Sequence, residues 1–220
     1  MLLLKGLIKF IVGIFVIGFF IFTSAGTFSF FNGRLFLITL GLPILTTLLL
    51  LFKKDKPLLE KRLSAKEKAS ARKKVPVFSA LLFLSVFISS GISFRFSLLL
   101  LPKWVSILAS ILFLASYLLY WEVMRENKYL SRTVEIQKDQ KVVSTGLYGL
   151  VRHPMYSVTI LLTLLMPLIL GGLITFIISL IYPSIIIMRL KDEEELLSEE
   201  LEGYKEYKEK VKYRLFPFIW

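Results

Sequence analysis

Residues 155–188 read MYSVTILLTLLMPLILGGLITFIISLIYPSIIIM, a stretch of 34 residues without a charged side chain. A helix needs about 20 apolar residues to cross the hydrocarbon core of a bilayer, so this stretch suffices for two short crossings. The pairs Met166-Pro167 and Gly171-Gly172 interrupt it near its middle. Because proline and glycine favour a break in a helix, we predict a tight helical hairpin formed by residues 155–170 and 171–188.

Four further apolar segments precede the hairpin, at roughly 2–22, 34–52, 77–98 and 104–123. Hydrophobic residues make up 55% of the 220-residue chain, and they come in runs instead of being interspersed as in soluble domains. The first run is longer than the apolar core of a typical signal peptide, which favours a retained span. The sequence therefore predicts an all-α, multi-span transmembrane helical protein with about six spans.

The basic residues are concentrated in three connecting segments. Residues 53–74 carry ten, 125–152 carry six and 189–214 carry seven of the 28 Lys and Arg, whereas the opposite loops hold little beyond Arg34, Arg95 and Lys103. The positive-inside rule places the three basic segments and both termini in the cytoplasm. Topology and attraction to anionic headgroups thus account for the formal charge of +12, and we predict no nucleic-acid partner.

The same reasoning divides the chain into a four-span membrane region, residues 1–124, and a second region, residues 125–220, that carries the polar clusters. Segment 53–74 fits either a short amphipathic surface helix or a solvated basic connector. The chain has no cysteine and a single histidine, His153. This composition excludes disulfides and thiolate metal ligands, and we predict no metal site.

His153 belongs to a polar cluster at the start of the hairpin, together with Tyr148, Arg152 and Tyr156. Pro154 suits the first turn of a helix, where its missing N–H is not needed. The free N–H groups of such a helix start favour a carboxylate or phosphate ligand. Polar side chains of this kind also serve as interfacial anchors. Four of them within nine residues favour a site that faces water or the headgroup region.

A second polar cluster follows the hairpin, in Arg189-Leu190-Lys191-Asp192-Glu193-Glu194-Glu195. Arg189 and Glu193 are four residues apart and share a face on a continuous helix, either within a site or as an ion pair in solvent. Apolar and aromatic residues then recur near helical spacing, at Leu196, Leu197, Leu201, Tyr204, Tyr207 and Val211. This pattern predicts a C-terminal amphipathic cytoplasmic helix that lies on the membrane or folds over the preceding loop.

In this order, the motifs resemble those of the isoprenylcysteine carboxyl methyltransferase family and of related membrane phospholipid N-methyltransferases. The pattern is Gly-x-Tyr-x-x-Val-Arg-His-Pro-x-Tyr, a hairpin, Arg-x-x-x-Glu-Glu, and then Tyr-x-x-Tyr and Tyr-Arg-Leu-x-Pro, over about residues 125–217. The resemblance implies an enzyme that binds S-adenosylmethionine at the cytoplasmic boundary. It also implies a lipid-linked, amphiphilic acceptor that arrives through the bilayer, with residues 125–220 as the catalytic region.

The resemblance also implies the site residues. Cofactor contacts fall on Gln137, Gln140, Lys141, Val142, Val143, Tyr148, His153, Pro154, Met155, Tyr156 and Glu193 or Glu194. The choice between the two glutamates stays open because the interval from Glu193 to Tyr204 is one residue short. Arg189 and Glu193 are the implied catalytic residues, with Arg189 orienting the carboxylate of the acceptor. Gln140 stands where the family commonly has a histidine.

A sulfonium methyl group is already activated, so transfer to a carboxylate needs positioning and exclusion of water, without a general base. His153 is therefore predicted to be a binding residue. The alternative of a phospholipid amine methyltransferase requires Glu193, Glu194 or a tyrosine to take a proton. A non-enzymatic membrane scaffold and a sterol-reductase-like protein with a nicotinamide cofactor are further alternatives. The acceptor and the oligomeric state stay open.

Overall fold

The computed structural model describes residues 1–63, 74–130 and 136–220, and the regular structure in these ranges is helical. The helices are α1 Leu2–Ala25, α2 Phe31–Lys54, α3 Lys56–Leu63, α4 Lys74–Arg95, α5 Lys103–Glu126, α6 Pro154–Leu170, α7 Leu173–Ser179, α8 Tyr182–Glu200 and α9 Tyr204–Lys210. A 3-10 turn spans Gly146–Gly149. In the described ranges, strand-like pairing is confined to one antiparallel bridge between Leu100 and Gly172. The all-α prediction is confirmed.

Five stretches among the described residues are long and apolar enough to cross a membrane. They are α1, α2, Val75–Arg95 within α4, α5, and Leu173–Glu200, which combines α7 and α8. The shorter apolar helix α6 forms the first arm of the terminal hairpin. Large apolar side chains such as Phe15, Ile38 and Leu118 are exposed on the helix surfaces, as expected where lipid is the solvent. The chain is an integral multi-pass membrane protein.

Close packing of small and aromatic side chains holds the bundle together. At Gly91 of α4, an added Cβ atom would lie 2.0 Å from Ser24 Oγ of α1, so the two backbones approach as closely as small residues allow. Phe30 and Phe94 stack with ring centroids 4.3 Å apart. The fully buried Phe36 belongs to the same core cluster. This packing fixes the helices whose ends build the site.

The second arm of the hairpin and the C-terminal helix differ from their predicted extents. α7 ends at Ser179 and α8 begins at Tyr182, with Pro183 in its first turn, where no backbone N–H is required. The predicted amphipathic helix is divided into the end of α8 and α9, because the chain turns at Gly203 with φ +80°. Tyr204 and Tyr207 nevertheless bury their side chains, as their spacing indicated.

Within segment 53–74, the helical alternative is correct for residues 56–63, and residues 64–73 lie outside the described residues. Leu58 and Leu59 bury the apolar side of α3. On its other side Lys61 Nζ donates a hydrogen bond of 2.5 Å to Gln137 Oε1. The carbonyl of Leu63 accepts one of 2.6 Å from Lys9 Nζ. α3 therefore lies across the basic end of the bundle, beside the loop that precedes α6.

Candidate active site

A cavity of about 680 Å³ opens at the basic end of the bundle, a size typical of small-molecule sites. One part is lined by polar and aromatic side chains, among them Asn127, Tyr129, Gln140, Tyr148, His153, Glu193, Tyr204 and Tyr207. The other part is mainly apolar and is lined by Val75, Pro76, Ala80, Phe83, Tyr182 and Ile186 of α4 and α8. Tyr156 joins the two parts, because its ring stacks on His153 and packs against the Val75 and Tyr182 cluster.

The C-terminal tail, residues 211–220, fixes the start of α6. α6 begins at Pro154, as predicted, and the carbonyl of His153 accepts hydrogen bonds from the third and fourth residues of α6, Tyr156 and Ser157. The backbone N–H of Arg152 donates to the Tyr213 carbonyl, and that of His153 donates to the Arg214 carbonyl, both at 2.9 Å. The main chain beside the cavity is therefore held by residues far along the sequence.

Glu194 is the centre of a buried ion cluster. Its carboxylate accepts hydrogen bonds of 2.6 Å from Arg152 Nε and 3.0 Å from Arg214 Nε, and its side chain is 7% exposed. His153 Nε2 lies 3.4 Å from the same carboxylate. Arg152 Nη1 also donates to the carbonyls of Val211 and Lys212. A buried carboxylate needs such partners, and this one forms the back of the cavity wall instead of its lining.

Glu193 occupies a different environment, on the cavity side of α8. The hydroxyl of Tyr156 donates a short hydrogen bond to its carboxylate. Arg189 Nε donates to the same hydroxyl at 3.0 Å. All three side chains line the cavity. Arg189 and Glu193 thus share a face, as their spacing predicted, and Tyr156 from the other arm of the hairpin links them.

The turn that carries Tyr148 depends on Gly146. Gly146 has φ +54°, and an added Cβ atom would lie 1.6 Å from Glu126 Oε1, so only glycine fits. The Glu126 carboxylate accepts a hydrogen bond of 2.9 Å from the Leu147 N–H. Asn127 Nδ2 donates to the Tyr148 hydroxyl at 3.0 Å. The end of α5 therefore positions Tyr148 in the cavity wall.

Three tyrosines of this wall are uncharged at neutral pH. Burial raises the pKa of the Tyr148, Tyr204 and Tyr207 hydroxyls above their usual value. Tyr207 donates a hydrogen bond of 2.7 Å to the Tyr148 carbonyl, and the Tyr204 hydroxyl lies 3.4 Å from His153 Nε2. These groups can donate and accept hydrogen bonds to a ligand but do not serve as bases.

The structure brings most of the predicted site residues to the cavity. Those that line it are Gln140, Lys141, Val142, Val143, Tyr148, His153, Met155, Tyr156, Arg189 and Glu193. Gln137, Pro154 and Glu194 do not line it. Gln137 instead holds the loop, with its amide donating to the Tyr129 carbonyl and its backbone N–H donating to Gln140 Oε1. The residues 131–135 of the same predicted loop lie outside the described residues.

Several lining residues were not predicted. Tyr204 and Tyr207 had a signal, their helical spacing, but it indicated only burial. Asn127 and Tyr129 stand in the polar loop without a distinguishing pattern. Arg62 could not be predicted as a lining residue, because no sequence pattern distinguishes it from the other basic residues of its segment. Its guanidinium lies 5.5 Å from the centroid of the Tyr120 ring, which also lines the cavity.

Comparisons with known proteins show a similarity in sequence and one in fold. The model of the isoprenylcysteine carboxyl methyltransferase family matches residues 107–199, which include most of α5, the loop and the hairpin. A solved structure of the eukaryotic intramembrane Ras methyltransferase, an isoprenylcysteine carboxyl methyltransferase, has 18% sequence identity and a TM-score of 0.52. That similarity covers 97% of this chain and 85% of the other, and at this identity it shows the shared fold.

No curated protein sequence matches the chain. The matched residues contain α6, the 3-10 turn and nearly all of α8, and with them the hydrogen-bonded side chains of Tyr156, Arg189 and Glu193. Residues 107–199 of this chain are therefore similar to the isoprenylcysteine carboxyl methyltransferase family, and the chain shares its fold with the solved Ras methyltransferase.

Proposed function

We propose that the protein transfers a methyl group from S-adenosylmethionine to the carboxylate of an isoprenylcysteine-type amphiphile. One observation carries the proposal. A single cavity combines a hydrogen-bonded chain of Arg189, Tyr156 and Glu193 with an apolar part between α4 and α8. Such a cavity suits a ligand with an anionic end and a long apolar end. The family match over residues 107–199 supports a membrane methyltransferase.

The polar part of the cavity fits the methyl donor. When bound, S-adenosylmethionine supplies a methyl group on a positively charged sulfur, which leaves readily as a neutral thioether. Carboxylates and the faces of aromatic rings favour a cation, and Glu193, Tyr129 and Tyr148 supply both. Glu193 is the glutamate that contacts the cofactor. Glu194 acts through Arg152 and His153 as a positioning residue.

Arg189 holds the carboxylate of the acceptor. A guanidinium group pairs with a carboxylate in a fixed, bidentate geometry, which orients the oxygen that attacks. The hydroxyl of Tyr156 in turn fixes Arg189 relative to Glu193. Because the acceptor is already ionised, no side chain has to remove a proton. The protein contributes orientation and the exclusion of water.

The apolar part takes the lipid end of the acceptor. Pro76 and Ala80 line the cavity and are also exposed on the outer surface of α4, so the cavity reaches the surface that faces the bilayer. α4 belongs to residues 1–124, and the catalytic side chains belong to residues 125–220. The first region therefore binds the lipid end of the acceptor, and the second binds the reacting groups. The cavity lies at the basic end of the bundle, which the positive-inside rule places in the cytoplasm.

A methyl-transfer assay tests the proposal. Purified protein is incubated with methyl-labelled S-adenosylmethionine and, separately, a farnesylcysteine analogue, phosphatidylethanolamine or a quinone-like amphiphile. We expect label in the cysteine analogue as a base-labile methyl ester. The variant Arg189→Ala should turn over about 10²-fold more slowly while S-adenosylhomocysteine binding is kept. Lys191→Ala, an exposed neighbour on α8, is the control.

Other outcomes point to the other functions. Label in phosphatidylethanolamine alone would indicate an amine methyltransferase. A ligand specific for the folded state raises thermal stability, so S-adenosylhomocysteine should raise it. If it neither binds nor stabilises the protein in detergent or in lipid, the enzymatic proposal fails.

A further inference from the structure

A second cavity of about 410 Å³ lies between α1, α2, α3 and α5, away from the catalytic side chains. We call it the lipid-side groove. Apolar residues of α1 and α2 form most of its wall, namely Phe10, Ile14, Ile17, Ile44, Leu48 and Leu51. Its basic end carries Lys9 and Arg62, and no aspartate or glutamate is among its described lining residues. The groove therefore combines a long apolar wall with two cations at one end.

Within residues 1–63, 74–130 and 136–220, the guanidinium of Arg62 has donors without acceptors. Its Nε and Nη2 atoms are buried and have no hydrogen-bond partner among the described residues. The Tyr120 ring, whose centroid lies 5.5 Å from the centre of the guanidinium, offers a π face but accepts no hydrogen bond from these two atoms. A buried charged donor without an acceptor is costly, so such a group marks a position where an anion is expected.

Lys9 adds a second cation at the same end. Its ammonium donates to the Leu63 carbonyl at the end of α3, next to Arg62 in the chain. That contact supplies no counter-charge, because a carbonyl is neutral, and the described part of the chain offers Lys9 no carboxylate. An anion at this position would accept from Arg62 and also neutralise Lys9.

We propose that the lipid-side groove binds one anionic phospholipid. The phosphate lies at Arg62 and Lys9, and an acyl chain lies along α1 and α2. A guanidinium pairs well with a phosphate, and the apolar wall favours the acyl chain, which a water-soluble anion lacks. Two cations in a groove whose described lining carries no carboxylate favour a net anionic headgroup, such as phosphatidylglycerol, over zwitterionic phosphatidylcholine.

The site touches the catalytic cavity without being part of it. Arg62 and Tyr120 line both cavities, so a phospholipid that holds Arg62 also fixes one wall of the catalytic cavity. The inference goes beyond the proposed reaction and does not depend on it. Lipid binding can be measured whatever the acceptor is.

The first test compares charge variants. Delipidated protein is titrated with phosphatidylglycerol or phosphatidylcholine, and binding is followed by native mass spectrometry. We expect Arg62→Gln to weaken phosphatidylglycerol binding about tenfold, the effect of losing a charged hydrogen bond. Lys9→Gln should weaken it by less. Lys5→Gln, an exposed lysine of α1 that does not line the groove, should leave it unchanged.

The second test fills the groove and leaves the cations in place. Gly13 of α1 lines the groove, and an added Cβ atom there meets nothing within 4 Å. Because a Cβ atom has room there, we expect Gly13→Leu to extend its side chain into the groove and to abolish phosphatidylglycerol binding while the protein stays folded. This variant tests lipid binding in the groove even if Arg62→Gln does not fold. Equal binding of both lipids, an equal loss in Lys5→Gln, or unchanged binding in Gly13→Leu would each overturn the proposal.

Discussion

At the level of single residues, Glu193 and Glu194 are adjacent in the chain but lie in different environments. Successive residues of a helix are rotated by about 100°, so adjacent side chains face different neighbours. Glu193 contacts Tyr156 in the cavity, whereas Glu194 lies between Arg152 and Arg214 in the wall behind it. The position of a carboxylate on α8 thus decides whether it lines the cavity or lies in the wall behind it.

Substitution of Glu194 tests whether the buried ion cluster stabilises the protein. We expect Glu194→Gln to lower the free energy of unfolding by about 3 kcal/mol, because two guanidinium groups then lose their buried counter-charge. Chemical denaturation in mild detergent measures the change. Glu195→Gln, exposed on the same helix, is the control and should be close to neutral. A similar loss in both variants would contradict the role of the ion cluster.

Substitution of Tyr156 tests the importance of the hydrogen bonds that join Arg189 to Glu193. We expect Tyr156→Phe to reduce turnover about tenfold, because the hydroxyl that joins the two side chains is lost. The ring that stacks on His153 remains, so affinity for S-adenosylhomocysteine should change little. Steady-state kinetics and isothermal titration separate the two effects. The expectation fails if affinity falls as much as turnover does.

These residues also show how far the sequence predicts the site. The spacing of Arg189 and Glu193 predicted their common face, because helix geometry is local. The resemblance named Tyr156 but did not predict that it joins them, since the contact crosses the hairpin. The run of glutamates left Glu193 and Glu194 equivalent. Only the positions of Arg152 and the C-terminal tail distinguish them.

At the level of elements, the C-terminal tail acts as a brace for the start of α6. The carbonyl of Leu215 accepts a hydrogen bond from the Ser157 hydroxyl, in addition to the contacts with Arg152 and His153. The tail therefore satisfies donors that the first turn of α6 and the residues before it would otherwise leave open.

Removal of the tail tests this element. We expect a chain that ends after Lys212 to lose S-adenosylhomocysteine binding at least tenfold and to melt at a lower temperature, because Arg152, His153 and Ser157 lose acceptors. Thermal unfolding with and without the ligand measures both. The double variant Phe218→Ser and Ile219→Ser keeps the tail and changes only exposed side chains, so it should behave like the parent protein.

The helices could be predicted where their sequence pattern depends only on neighbouring residues. Apolar runs predicted the spans, and Pro154 predicted the start of α6. The interruption between α7 and α8 and the turn at Gly203 were not predicted, because an apolar period continues through both. Gln137 was expected in the cavity. It lies beside it because Lys61 of α3 and the Tyr129 carbonyl engage its side chain, and both contacts depend on tertiary packing.

At the level of the whole molecule, the basic residues gather at the end of the bundle that holds the catalytic cavity. Lys9 of α1 and Lys61 of α3 both make contacts there. The distribution of Lys and Arg along the chain predicted that these segments share one side of the bundle, and which side of the membrane they face stays a prediction. It did not predict that α3 and α5 supply Arg62 and Tyr120 to the cavity, because residues so distant in the chain meet only after folding.

The absence of cysteine from the chain allows a test of the orientation without background labelling. Ser29→Cys reports on the loop between α1 and α2, and Lys138→Cys reports on the loop before α6. In intact cells, a membrane-impermeant maleimide should label Ser29→Cys alone, and permeabilised cells should show labelling of Lys138→Cys as well. The opposite pattern would place the cavity outside the cytoplasm.

The brace formed by the C-terminal tail also orders the events of biosynthesis. Arg152 and its acceptor at Lys212 are 60 residues apart, and Arg214 follows. A ribosome adds about 5–20 residues per second, so for several seconds α6 exists while its acceptors have not yet been synthesised. The nascent chain can insert its apolar helices in this interval, but the wall behind His153 is incomplete. The wall behind His153 is therefore completed only after α1 to α8 have all been synthesised.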